Sequence, residues 1–161
     1  KKNIQIINGV SLLSFSDKLN VSILAYQIND DGFYYKTISL RNAYDVFLLS
    51  KKTSAKNAVS MLGKLMHPTN CFLAICYDVF NKIDSLSYHK NNKTSAYLHT
   101  FKSQFTNPKA TRIRHYIIKK YLGLKIFVTL IYKCIFYKQY RIWLFHYLKD
   151  IKTLKRKYIK I

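Results

Sequence analysis

Apolar residues in "SDKLNVSILAYQINDDG" recur at Leu19, Ile23, Leu24 and Ile28, three to four positions apart. That period predicts an amphipathic helix from about Lys18 to Asn29, capped by Ser16 or Asp17 and stopped by Gly32 after Asp30 and Asp31. The pattern then changes. "FYYKTISL" and "YDVFLL" are dense in strand-forming side chains, and Arg41 and Asn42 between them suit a hairpin or a short connection. A helical period returns in "SAKNAVSMLGKLMHP", with Ala58, Leu62 and Leu65 on one face and a stop at His67 and Pro68. "CFLAICYDVF" is a continuous apolar run that reads as a buried strand, and "YHKNNKTS" around Asn91 reads as a polar loop.

Beyond Pro108, basic and aromatic residues interleave: Lys109, Arg112, Arg114, His115, Tyr116, Lys119 and Lys120. Read as a strand, Thr111 to Ile118 puts Arg112, Arg114 and Tyr116 on one face, because alternate side chains of a strand point the same way. Such a face pairs guanidiniums with phosphates while a ring packs on a base or sugar. From Phe136 onward Tyr140, Leu144, Tyr147, Leu148, Ile151 and Leu154 fall near helical spacing, and Lys152, Lys155, Arg156 and Lys157 crowd the end. This predicts a C-terminal helix whose apolar stripe docks on protein and whose basic tail reaches nucleic acid.

Charge sharpens that picture. The chain of 161 residues carries 28 Lys and Arg against seven acidic residues, all of them Asp, for a formal net charge of +21. Residues 1 to 84 contribute +4 and residues 85 to 161 contribute +17, with Asp150 the sole acid of the second segment. Self-repulsion of this size calls for a polyanionic partner, and RNA is the commonest one. A hydrophobic content of 49% sets the chain apart from a disordered basic tail. The abundance of Lys, Asn, Ile, Tyr, Phe and Leu, beside four Gly and two Pro, is the bias of AT-rich organellar genomes and points to a mitochondrion.

Candidate catalytic and metal chemistry is sparse. Cys71, Cys76 and Cys134 are too few for a disulfide scaffold and fit a reducing compartment. His67, Cys71 and Cys76 lack a C-x-x-C pair and a fourth ligand, so no metal is expected. Asp30 and Asp31 read as a turn, while Asp45, Asp78 and Asp84 form no carboxylate motif of the kind a metal-dependent nuclease needs. With no GxxxxGK loop and no nucleophile paired with a His, neither cofactor, small-molecule substrate nor catalysis is expected. The apolar window Tyr121 to Tyr137 is interrupted by Lys125 and Lys133 and falls short of the roughly 20 residues that span a bilayer. "KKNIQIINGV" lacks the apolar run and cleavage site of a secretory signal, and a first residue other than Met fits a processed or incomplete chain.

Three blocks resemble small-subunit ribosomal protein eight. "SDKLNVSILAYQINDDGFYYKTI" is similar to that family's first helix pattern through Ser16, Lys18, Ile23, Leu24, Gly32 and Phe33. "TNPKATRIRHYI" is similar to its S-K-P-x-R-R-x-Y block through Pro108, Arg112 and Tyr116, and "GLKIFVTLIYKCI" to its G-L-G-I block through Gly123, Leu124, Ile126, Lys133 and Ile135. Leu130, Ile131 and Tyr132 stand where the family has S-T-S, Cys134 replaces a glycine, and the terminal G-G-E strand has no counterpart. The resemblance implies an α+β protein of two small lobes. Residues 1–50 would form helices on a short sheet, 51–96 an insertion, and 97–161 a basic, mostly β, RNA-binding lobe with an added C-terminal helix.

The same resemblance implies a structural constituent of the small subunit of a mitochondrial ribosome, located in the matrix, with small-subunit rRNA and neighbouring ribosomal proteins as partners. Under it Arg112, Arg114, Lys119, Lys120 and Lys133 neutralise phosphates while Tyr116 and Tyr132 pack on sugar or base; Lys109, Lys155, Arg156 and Lys157 extend the basic surface. Three other readings share the composition: a different organellar ribosomal protein, an intron-encoded enzyme, and an accessory subunit of an organellar membrane complex held by the basic C-terminal helix.

Overall fold

The structure, a computed structural model, describes residues 5–7 and 10–158, with side-chain surroundings for 12–147 and for Lys149. It opens with a short antiparallel hairpin, β1 (Gln5–Ile7) and β2 (Val10–Leu12), in the register Gln5↔Leu12, Ile6↔Ser11 and Ile7↔Val10. Every other element among the described residues is helical. The α-helices are α1 (Phe15–Leu24), α2 (Gly32–Tyr35), α3 (Leu40–Ser50), α4 (Ala55–Ser60), α5 (Met66–Val79), α6 (Asn92–Thr106), α7 (Pro108–Phe136) and α8 (Lys138–Tyr158); a π-helical turn (Ala25–Asn29) and two 3-10 turns (Gly63–Leu65 and Asp84–Leu86) complete the set. The chain divides into two units, 1–112 and 113–161.

The expected α+β class is therefore corrected to an all-α fold with one terminal hairpin. "YDVFLL" lies within α3, "CFLAICYDV" within α5, and Thr111 to Ile118 within α7. The strands that the ribosomal resemblance implies for 97–161 are absent among the described residues, where α6, α7 and α8 stand instead. Capping chemistry shows why these segments are helices. Ser14, Ser39 and Ser54 each accept a hydrogen bond from the backbone N–H three residues on, opening α1, α3 and α4. Asn91 and Thr94 form a reciprocal capping box at α6, and Asn107 Oδ1 accepts from the Ala110 N–H (3.1 Å) at the start of α7. Pro108 opens α7 and Pro68 sits in the first turn of α5, where a missing N–H has no intrahelical partner to lose. Pro68 thus starts a helix instead of stopping one.

The core of the first unit is built around α5. Phe72, Leu73 and Cys76 pack with Leu19 and Ile23 of α1, Ala43 and Val46 of α3, Ala55, Ala58 and Val59 of α4, and Leu86. Cys71 and Ile75, on the other side of the helix, pack with Tyr97 and Phe101 of α6. A helix covered on both sides needs apolar residues all round, so its sequence loses the 3.6-residue period. That is how "CFLAIC" came to read as a buried strand. Its burial was legible; its backbone was not.

Polar groups in this core are placed to fasten loops. The Asn70 amide donates to the His89 carbonyl (2.8 Å) and accepts from the His89 N–H (2.9 Å), closing the connection between α5 and α6 onto α5. Asn20 Nδ2 donates to the Ala58 carbonyl (3.0 Å), tying α1 to α4. Gly32 answers a packing demand: a Cβ there would lie 2.6 Å from the Tyr26 ring, which is held by its hydroxyl bond to Thr37 (2.8 Å). Asn70→Ala strands both backbone groups of His89, and we expect it to lower unfolding stability by about 3 kcal/mol. Met61→Ala, at an exposed position, is expected to stay within about 0.5 kcal/mol. Urea denaturation followed by circular dichroism reads both.

Candidate nucleic-acid interface

Pro108 to Phe136 contains no acidic residue, and as a helix it distributes its charge differently from a strand. Arg112 and Arg114 are two positions apart, which in an α-helix turns them about 200° away from each other. They do not share a face. Arg112 instead aligns with Tyr116, Lys119 and Lys133, four, seven and twenty-one positions further on.

Within the second unit, Tyr116, Lys119 and Lys120 are exposed and surround a shallow groove over Gly123, closed at its other end by Leu124 and Phe127. The Lys120 ammonium lies 5.5 Å from the centre of the Tyr116 ring, and a Cβ on Gly123 would meet nothing within 4 Å. Cations beside ring faces, with open space between, suit a phosphate on the lysines and an unpaired base against a ring.

The remaining expected site residues are spread out. Lys109 and Arg112 are exposed on the first turns of α7, and Arg114 is half-buried. Tyr132 stacks at a tilt on Phe136, with centroids 4.6 Å apart. Lys133 is turned toward Tyr140, with its ammonium 3.3 Å from the hydroxyl and 4.9 Å from the ring centre. Lys155, Arg156 and Lys157 belong to the last turns of α8, and their side chains lie outside the described residues.

The sequence reading missed the junction between α7 and α8. There Arg141 donates to the carbonyls of Cys134 (3.4 Å) and Ile135 (2.9 Å), occupying acceptors that a continuous helix would use itself. The Cys134 thiol points to the Tyr140 carbonyl (3.7 Å), and Phe127, Leu130, Ile131 and Leu144 line an apolar hollow beside it.

The cysteine and histidine set has a geometry of its own. Cys71 Sγ is 3.8 Å from His67 Nδ1, one helical turn apart on α5. Burial pushes the Cys71 thiol up to about 12, although Lys36 pulls the other way, and burial also raises Cys76. His67 is lowered, by burial first and then by Lys93 and Lys36. A neutral thiol beside a neutral imidazole is packing, with no thiolate to act as nucleophile. No group of three His, Cys or acidic side chains that could hold a metal exists among the described residues. No helix among them is long and apolar enough to cross a membrane.

Comparison with known protein families, with characterised proteins and with solved structures found no match.

Cys71 and Cys76 are buried, whereas Cys134 is half-buried. A colorimetric disulfide reagent at pH 8 is therefore expected to titrate one thiol per native chain and all three in denaturant. Cys134→Ser should abolish the native signal; a fast second native thiol would contradict the protonated, enclosed state of Cys71.

Proposed function

We propose that this chain is a non-catalytic RNA-binding structural protein of a mitochondrial ribosome, with its second unit lying against small-subunit rRNA. One observation carries the reading: residues 113–161 hold thirteen Lys and Arg against one Asp. Beside a phosphate backbone those charges release counterions and cease to repel one another. The groove over Gly123 adds the means to hold an unpaired nucleotide, since lysines and aromatic rings flank it. Composition of the organellar type supports the mitochondrial compartment. The reading stands on charge and exposed side chains and requires none of the strands of the ribosomal family described above.

Two measurements test it. Tagged protein should co-sediment with mitochondrial ribosomes in moderate salt and be absent from washed membranes; the reverse distribution would favour a membrane-complex subunit and refute the proposal. In solution, affinity of the full chain for small-subunit rRNA should fall steeply with salt. Lys119→Gln with Lys120→Gln should reduce the slope of log affinity against log salt by about 1.5, as expected for two lost phosphate contacts. An unchanged slope would remove these lysines from the interface.

A further inference from the structure

The junction between α7 and α8 holds a hollow that the lysines of α7 leave unexplained. Leu130 of α7 and Gln139, Tyr140 and Trp143 of α8 line it, around a volume of about 370 Å³. Trp143, the chain's one tryptophan, is 52% exposed. Tyr147, one turn further on, stacks against it with ring centres 5.3 Å apart and planes within 11° of parallel. Tyr147 is no part of the lining, so the hollow meets indole surface that the tyrosine does not cover. Tyr140 forms another wall, and the Lys133 ammonium sits 4.9 Å from the centre of its ring.

Polar groups select the occupant. Neither the Gln139 amide nor the Trp143 indole N–H has a hydrogen-bond partner among the described residues. An acyl chain or an apolar side chain in the hollow would strip water from both and return no hydrogen bond. A nucleobase meets each feature: its face extends the stack of Tyr147 and Trp143, its edge carries donors and acceptors for the amide, and its phosphate is drawn to Lys133. Such stacking requires an unpaired base, because a base within a duplex has its own neighbours on both faces. We propose that this hollow takes an unpaired nucleobase of RNA, stacked on Trp143 and read at its edge by Gln139. The inference rests on the RNA reading of the second unit and adds to it a single-stranded target.

Tryptophan fluorescence of the full chain reads Trp143 alone, since no other tryptophan is present. The probes are a uridine oligomer of about ten nucleotides and an RNA duplex of the same length, each with a terminal dye whose anisotropy reports binding independently. At low salt both should bind; the oligomer should quench the tryptophan emission and the duplex should leave it nearly unchanged. Trp143→Ala should weaken the oligomer about tenfold, as for one lost stack. It should hold duplex affinity within about twofold and keep the salt slope, because no phosphate contact is removed. Trp143→Phe retains a ring and should recover most of the oligomer affinity, and both variants should match the parent in circular dichroism. The quenching contrast is measured on the parent chain and does not depend on either variant folding.

Equal quenching by oligomer and duplex, or unchanged oligomer affinity in Trp143→Ala, would overturn the stacking site and leave the RNA reading in place. Failure of both RNAs to bind the parent chain would sink the RNA reading itself. A blue shift of the emission on anionic phospholipid vesicles, with no quenching by the oligomer, would assign the hollow to lipid and overturn the proposal.

Discussion

Burial of the middle of α5, from Thr69 to Cys76, is the constraint from which the first unit follows. Cys71, Phe72, Leu73, Ala74, Ile75 and Cys76 are all fully buried, in immediate succession. A helix can be enclosed on every side because its backbone donors and acceptors are satisfied within it; a strand of the same residues would need paired neighbours on both edges. Enclosure demands walls, and α1, α3 and α4 supply one while α6 supplies the other. The connection from α5 to α6 would otherwise stand free, and the double bond of Asn70 to His89 fastens it.

Residues 113–161 obey a different balance. Leu122 is the one buried residue there whose side chain is described, while Ile117, Leu124, Phe127, Val128 and Ile135 are exposed. Apolar surface on that scale is poorly matched to water, and thirteen like charges on the same unit are poorly matched to one another. An anionic polymer such as the proposed rRNA would answer the lysines.

Pairing inside the second unit shows how local chemistry shapes that surface. Arg141 spends its guanidinium on carbonyls at the end of α7, and Lys133 turns to Tyr140. Basic residues near the junction between α7 and α8 therefore shape backbone as well as carry charge. Lys119 and Lys120 lie nearly four helical turns before Lys133, beside the open space at Gly123.

Composition alone determined the cationic character, its concentration after residue 84 and the shortage of acidic ligands, because charge is a sum over residues and does not depend on fold. The position of the C-terminal helix and the burial of "CFLAIC" were equally legible, the first from a clear period and the second from an unbroken apolar run. Tertiary structure decided the rest. Apolar runs such as "CFLAICYDV" and "YDVFLL" satisfy a buried strand or an enclosed helix equally well, and packing of α5 between two layers selected the helix. That choice rearranged the site: a period of two would have joined Arg112 to Arg114, whereas a period of 3.6 separates them and aligns Arg112 with Tyr116 and Lys119. Which side chains share a face is a property of the backbone, and here long-range burial, together with caps such as Ser39 and Asn107, set the backbone.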